Sequence, residues 1–363
     1  MLMQTLLFCA GLVALVLGAN ALVRGASKLA LSFGISPLVV GLTIVAFGTS
    51  APEVAVSLGA VLEGQTDIAL GNVVGSNIFN VLFILGLSAL IAPLVVDRQL
   101  IRQEVPIVIG LSLLVGGMVL DLRLSAAEGA LLVLLIAGYT LLLYFQGKNA
   151  PASEVTDDLL PTGPAWLSRL PAQLALIVVG LGMLVLGSRW LVDSAITFAE
   201  MLGVSQLVIG LTIVAAGTSL PEVATSVIAA LRGEREIAVG NVLGSNIFNL
   251  GAVLDISSIV SGSGLTVPPS LLAFDLPVMI AVAVACLPVL FTGHLIARWE
   301  GAVFLGYYVA YTTYLVLYAQ EHDALDEYSL VMRAVVIPLT VITLAVVVVR
   351  ELRRRRRPQN GLK

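Results

Sequence analysis

Glu53 and Glu222 carry the strongest chemical signal in this sequence. Each lies inside an apolar stretch, where a carboxylate costs roughly 2.5–3.5 kcal/mol or more, so each is a candidate functional group. The stretch GLTIVAFGTSAPEVAVS from Gly41 to Ser57 returns as GLTIVAAGTSLPEVATS from Gly210 to Ser226. Residues 41–60 and 210–229 agree at 15 of 20 positions without a gap. Ser50, Glu53 and Ser57 stand at i, i+3 and i+7, on one helix face. Pro52 has no N–H and clashes with the preceding turn, which predicts a break or kink near Gly48–Glu53. Free carbonyls at membrane depth are tolerated only where they line a cavity or bind something. Carbonyls, hydroxyls and a carboxylate make an all-oxygen set. Hard cations such as Ca²⁺ and Na⁺ take that set, whereas softer metals want His or Cys, which are missing here.

A second motif follows each of the first. GNVVGSNIFN, Gly71 to Asn80, returns as GNVLGSNIFN, Gly240 to Asn249, identical at 9 of 10 positions. Asn72, Ser76 and Asn80 recur every four residues as one polar stripe, and Asn241, Ser245 and Asn249 repeat it. Gly71 with Gly75, and Gly240 with Gly244, are small-xxx-small pairs that let another helix approach. Taken singly, these features have plainer readings. A Pro marks a kink, a Gly pair marks packing, and a Ser or Thr bonds its own preceding carbonyl. The duplication of an intramembrane Glu with the same polar escort favours function. Together Glu53 and Glu222 supply two negative charges, which one Ca²⁺ or two Na⁺ neutralise. Two desolvated carboxylates facing each other repel when empty, so protons would compete with cations. Such a site favours exchange.

The elements that must position these residues span a membrane. The chain is 58% hydrophobic and 12% charged over 363 residues, outside the range of soluble globular domains. A span needs about 20 apolar residues to cross about 30 Å of hydrocarbon. Eleven such spans are expected near 5–30, 36–62, 67–92, 104–120, 124–146, 171–202, 206–231, 236–262, 272–292, 298–319 and 329–350. The first, although it looks like a signal-peptide core, has no preceding positive charge and matches the second half at the shared offset of 169, so it reads as a retained helix. Five spans per repeat is an odd number, so the second copy enters the membrane from the opposite face. The expectation is an all-α integral membrane protein: two inverted-topology repeats of five transmembrane helices plus one extra C-terminal transmembrane helix. The units are a first repeat at 1–146, a connection at 147–169, a second repeat at 170–320, and the extra helix with its basic tail at 321–363.

Sixteen of the 19 Lys and Arg residues fall toward one side, only Arg123, Arg189 and Arg333 departing. The positive-inside rule makes that side cytoplasmic, with the N-terminus outside and the C-terminus inside. The Arg353–Arg357 run reads as an anchor against anionic lipid. Cys9 and Cys286 lie in apolar spans as small hydrophobes. Arg189 and Asp193, spaced i, i+4, are suited to an internal ion pair, and Arg189 replaces Asn20 at the repeat offset. Asp255 falls off the polar stripe by helical phase and is expected to face an aqueous vestibule. No soluble insertion is long enough for a regulatory domain, and nothing suggests a cofactor or a nucleic-acid partner; the bilayer and the ions are the expected partners.

GTSAPE and GTSLPE, followed by GNVVGSN and GNVLGSN, resemble the paired signature repeats of the cation/Ca²⁺ exchanger superfamily, particularly its compact prokaryotic Na⁺/Ca²⁺ exchangers. The resemblance covers the ten-helix body and leaves the eleventh span unexplained. It implies alternating access between two inverted halves, the first helix of each sliding against a fixed core. Carried over by position, it makes Glu53 and Glu222 the main Ca²⁺ ligands, with backbone carbonyls of Thr49 and Thr218. Ser50, Ser219, Ser76 and Ser245 would help form Na⁺ sites, and Asn80 and Asn249 would take the central flanking positions. The pattern departs at Asn249, where the exchangers compared first carry Asp, so the site holds at most two negative charges and the Na⁺ stoichiometry is open. Asn at both positions gives no support for K⁺ co-transport. Proton-coupled relatives carry Glu-His where this chain has Gly75-Ser76 and Gly244-Ser245, which favours Na⁺.

The expected function is Na⁺/Ca²⁺ antiport in a prokaryotic inner membrane, electrogenic or near-neutral, not enzymatic, with the ions as cargo and no resident cofactor. An H⁺/Ca²⁺ antiporter is the alternative within transport. A cation channel with paired Glu residues at a constriction is a further alternative. An intramembrane acid/base enzyme is the most remote, for want of a nucleophile or a His/Cys metal set.

Overall fold

A computed structural model describes residues 2–149, 169–202, 213 and 215–356. Most of the expected connection at 147–169, the start of the seventh span, and the last Arg of the basic run lie outside them. The described helices are α1 (Leu2–Phe33), α2 (Pro37–Leu62), α3 (Thr66–Ile91), α4 (Leu100–Asp121), α5 (Ala126–Asn149), α6 (Leu170–Met201), α7 (Leu220–Leu231), α8 (Arg235–Val260), α9 (Leu271–Phe291), α10 (Arg298–Ala319) and α11 (Leu325–Arg353). Among the described residues ten of these are long and apolar enough to cross a membrane, and α7, with the short turn Ala215–Gly217 before it, belongs to the remaining expected span. The chain is an all-α integral membrane protein.

The inversion of the halves is visible where their first helices meet. A Cβ added at Gly11 would lie 2.8 Å from the Gly187 carbonyl oxygen, and one at Gly18 would lie 2.8 Å from the Gly180 carbonyl oxygen. One added at Gly25 would lie 2.9 Å from the carbonyl oxygen of Gln173. The contacts advance along α1 as they recede along α6, so equivalent helices run antiparallel. Only a missing side chain permits backbones this close, which is how small residues drive helix association in lipid.

Two short clasps tie the halves together at the helix ends. Strand β1 (Leu94–Val95) pairs antiparallel with β4 (Leu295–Ile296), and β2 (Arg123–Leu124) pairs antiparallel with β3 (Leu265–Thr266). In each clasp the link after a repeat's third helix meets the link between the other repeat's fourth and fifth helices. Within each half an acid–phenol pair adds a second symmetric feature: Tyr139 donates to Glu104, buried, and Tyr311 to Asp275, half-buried, each at 2.7 Å.

The core centres on α3 and α8, the most enclosed spans. Gly240 and Gly244 press α8 against the first part of α2: an added Cβ at Gly244 would lie 2.7 Å from Ala46 Cβ and 2.8 Å from the Leu42 carbonyl oxygen. The counterpart partners of Gly71 and Gly75, at 207–212, fall outside the described residues. Helix α11 lies on the periphery, where the Tyr307 hydroxyl meets Thr340 Oγ1 at 2.6 Å and Tyr328 donates to the Ala310 carbonyl at 2.8 Å.

Candidate cation site

The site is built at two local irregularities that the sequence encodes twice. In α2 the helix is interrupted at Ser50 (φ −76°, ψ 4°), and the same interruption falls at Ser219 (φ −87°, ψ 8°) before α7. Pro52 and Pro221 follow two residues later and supply no N–H to Gly48 and Gly217. The Ser50 N–H keeps the Ala46 carbonyl at 3.0 Å with the Gly48 carbonyl as a second acceptor, and the Gly217 carbonyl accepts from Ser188 Oγ at 2.7 Å. Glu53 and Glu222 therefore stand in the first turn of a new helix, where the helix dipole favours a negative side chain. The second irregularity is a π-helical turn that opens at Asn80 in α3 and at Asn249 in α8. Such turns occur often at functional sites.

The hydrogen bonds cross between the repeats in related pairs. Ser219 Oγ donates to Glu53 Oε1 at 2.8 Å, and Ser50 Oγ donates to Glu222 Oε1 at 3.3 Å. Thr49 Oγ1 donates to Asn241 Oδ1 at 3.0 Å, and Thr218 Oγ1 to Asn72 Oδ1 at 3.4 Å. Asn72 Nδ2 in turn holds Ser57 Oγ and Asn241 Nδ2 holds Ser226 Oγ, at 3.0 and 2.9 Å. Glu53 and Glu222 are fully buried, and each accepts from the serine at the other repeat's helix break. Both carboxylates therefore lie in the interface between the repeats rather than toward lipid.

Asn77 and Asn246, which the motif spacing does not mark as site residues, complete this frame. Asn80 Nδ2 donates to Asn246 Oδ1 at 3.0 Å, and Asn249 Nδ2 donates to Asn77 Oδ1 at 3.2 Å. Asn77 and Asn246 also donate to each other's backbone carbonyls, at 3.4 and 3.3 Å. With their amide nitrogens engaged, Asn80 and Asn249 keep their oxygens free. The one signal in the sequence is the identity of Asn77 and Asn246 in the duplicated GSN, one residue off the polar stripe.

Six buried side-chain oxygens in this frame have no hydrogen-bond partner among the described residues: Glu53 Oε2, Glu222 Oε2, Asn80 Oδ1, Asn249 Oδ1, Ser76 Oγ and Ser245 Oγ. They come three from each repeat. Unsatisfied buried polar atoms are rare and costly, so a matched set of them calls for a ligand. All are oxygens and two are carboxylate oxygens, which is the chemistry of a hard cation.

The comparisons with known proteins agree with that chemistry. Residues 3–145 and 172–317 match the model of the family described as sodium/calcium exchanger protein. The chain belongs to the sodium/calcium exchanger family. It is 36% identical over 345 residues to the sodium/calcium exchanger MaX1 of Methanosarcina acetivorans, covering 85% of this chain and 97% of that one. It is 38% identical over 287 residues to the inner membrane protein YrbG of Escherichia coli, covering 78% of this chain and 87% of that one. The solved structure of the sodium-calcium exchanger NCX_Mj, soaked with Na⁺ and Ca²⁺, superimposes with a TM-score of 0.72 at 30% identity. That match covers 85% of this chain and 96% of the other. Membership of this exchanger family makes the chain a membrane transporter of the antiport class.

Two expectations outside the site need correction. Asp255 does not face an aqueous vestibule. It is buried, its carboxylate accepts the Ile256 N–H, and the turn it begins packs against α5 at Gly129, where an added Cβ would collide with Ser258 Oγ. Arg189 and Asp193 form no ion pair with each other. Arg189 instead lines a cavity of about 620 Å³ between α6 and the interrupted part of α2, with Ile44, Phe47, Gly48 and Ala51 opposite.

Proposed function

We propose that this exchanger moves Ca²⁺ against Na⁺ by alternating access, and that the six unpartnered oxygens are where the ions sit. Glu53 and Glu222 supply the two charges that bind Ca²⁺, with the Oδ1 atoms of Asn80 and Asn249 and the backbone carbonyls of Thr49 and Thr218 around them. Ser76 and Ser245, free of other bonds, and Ser50 and Ser219, each with a lone pair left after donating to a carboxylate, supply Na⁺ positions. The observation that carries this reading is the two-fold set of buried, unsatisfied oxygens centred on two carboxylates. Na⁺ as counter-ion draws support from the naming of MaX1 and NCX_Mj as sodium/calcium exchangers. The distribution of Lys and Arg favours an N-terminus outside and a C-terminus in the cytoplasm of a prokaryotic inner membrane.

The test is Ca²⁺ uptake into vesicles reconstituted with purified protein, under separately imposed Na⁺, K⁺ and pH gradients. Uptake is expected to follow the Na⁺ gradient alone. Uptake that ignores Na⁺ and follows pH would transfer the assignment to H⁺/Ca²⁺ exchange.

Asn77 and Asn246 act in this reading by aiming other side chains. Asn77→Ala leaves Asn249 Nδ2 without its acceptor, so the amide is free to rotate and present N–H groups to the cation. Loss of such a supporting partner typically costs about 10–100-fold in metal affinity or activity, so Ca²⁺ exchange should fall about 10-fold. The check is the apparent Ca²⁺ affinity of the reconstituted variant, and wild-type affinity would remove Asn77 from this role.

A further inference from the structure

The site obeys the two-fold relation between the repeats, and so does the α1–α6 pair, but the two are not symmetric with respect to each other. Within the core, Ser50–Glu222, Thr49–Asn241 and Asn80–Asn246 each have their image at the repeat offset of 169. Within the α1–α6 pair, the approach of Gly11 to Gly187 has its image in that of Gly180 to Gly18. The relation fails where the pair meets the core. Helix α1 packs along α7 (Leu220–Leu231), whereas α6 makes no comparable contact with the equivalent Ala51–Leu62 of α2. Burial records the difference: Thr225 is 0% exposed, and its equivalent Val56 is 40% exposed. A rigid pair displaced along a symmetric core has a second resting position related to the first by exchanging the repeats.

The contact that marks this first position is polar. Arg232, at the end of α7, donates from Nε to Asn20 Oδ1 on α1 at 2.8 Å, and its NH2 group reaches the same oxygen. Arg24, one turn beyond Asn20, sits near enough to repel Arg232. At the repeat offset, Asn20 becomes Arg189, Arg232 becomes Glu63 and Arg24 becomes Asp193. The exchanged position thus confronts a cation on α6 with a carboxylate at the end of α2. In the structure as it stands, Arg189 has no hydrogen bond or ion pair among the described residues, and it lines the cavity of about 620 Å³ between α6 and α2, which touch at Leu181 and Gly48. Glu63 is exposed at its helix end.

We propose that Arg189 and Glu63 form a latch that closes only in the other end-state of the exchange cycle, when α1 and α6 slide together and the Asn20–Arg232 contact opens at the opposite face. The proposal rests on the alternating-access reading above. In the closed latch Asp193 stands where Arg24 now stands, so Arg189 is held between two carboxylates. The two end-states are therefore fastened by different chemistry. A neutral amide meets a guanidinium in one, and an ion pair with a second acid beside it forms in the other. No residue of the latch belongs to the cation site, so it sets the balance between end-states without touching the intrinsic affinity of the site for either ion. That asymmetry is carried by this chain's own side chains.

The experiment compares thiol labelling at equivalent positions, Val56→Cys and Thr225→Cys, each in purified full-length protein with Cys9→Ser and Cys286→Ala. Val56→Cys is open in the present state and Thr225→Cys in the exchanged one, so the ratio of their labelling rates follows the ratio of the two populations. Removing an exposed ion pair with Glu63→Gln or Arg189→Gln should raise the Val56/Thr225 ratio about two- to five-fold. The swap Arg189→Glu with Glu63→Arg should return it toward the starting value. A ratio insensitive to both single changes, with Thr225→Cys still labelled, would overturn the latch and leave the sliding motion standing. Failure of Thr225→Cys to label under any mixture of Na⁺ and Ca²⁺ would overturn the sliding itself, and the latch with it.

Discussion

Replacing either Glu53 or Glu222 by Gln should reduce Ca²⁺ exchange about 100-fold or more while leaving the protein folded. The substitution is nearly isosteric and keeps an acceptor oxygen for the opposing hydroxyl, Ser219 at Glu53 and Ser50 at Glu222. The crossed hydrogen bonds between the repeats therefore survive. What disappears is one of the two charges available to balance a divalent ion. Removing one partner of a desolvated, hydrogen-bonded charge pair typically costs about 2–5 kcal/mol, and each 1.4 kcal/mol is a factor of ten. Because the two carboxylates occupy related positions, the two variants should fail to a similar extent. Ca²⁺ uptake into vesicles measures the loss, and elution of a single symmetric peak in size-exclusion chromatography verifies the fold. Normal uptake by both variants would show that the ions bind elsewhere.

The repeat made much of this architecture legible. Two near-identical acidic helices, each followed by the same polar stripe, required that Glu53, Glu222, Asn80 and Asn249 be treated alike, and an odd number of spans per copy required inversion. Other features depended on which faces of different helices meet, and a single sequence does not state that. Asn77 and Asn246 lie one residue off the stripe, so a helical wheel assigns them to packing. Their partners are each other across the interface between repeats. Asp255 shows a different failure. The wheel that placed it assumed regular α-helical phase from Asn249 onward, but the π-helical turn over Asn249–Val253 resets that phase before Asp255 is reached. Arg189 and Asp193 have suitable helical spacing for a pair, yet the guanidinium faces the gap beside α2. Spacing permits a contact; it does not choose between that contact and one made by another helix in another state.

Asn249→Asp should change which ions drive the exchanger more than any other single substitution at the site. The side chain is fully buried, and its free oxygen belongs to the same unpartnered set as those of Glu53 and Glu222. A third carboxylate raises the charge to be balanced from two to three, so one Ca²⁺ no longer suffices and a third Na⁺ becomes favourable. Two unit charges about 4 Å apart at an effective dielectric constant of about 20 interact by about 4 kcal/mol, enough to alter ion occupancy by orders of magnitude. The gain is opposed at one contact. Asn249 Nδ2 now donates to Asn77 Oδ1, and an aspartate there would set two acceptors face to face. Turning the Asn77 amide over removes the clash by placing its Nδ2 against the new carboxylate, at the expense of its bond to the Asn246 carbonyl. The expected result is a steeper dependence of Ca²⁺ efflux on Na⁺ concentration and a current in voltage-clamped proteoliposomes larger than that of the parent. The double variant Asn249→Asp with Asn77→Ala, which removes the acceptor clash, should keep the steeper Na⁺ dependence. An unchanged Na⁺ dependence in both would mean that this position does not take part in counting ions.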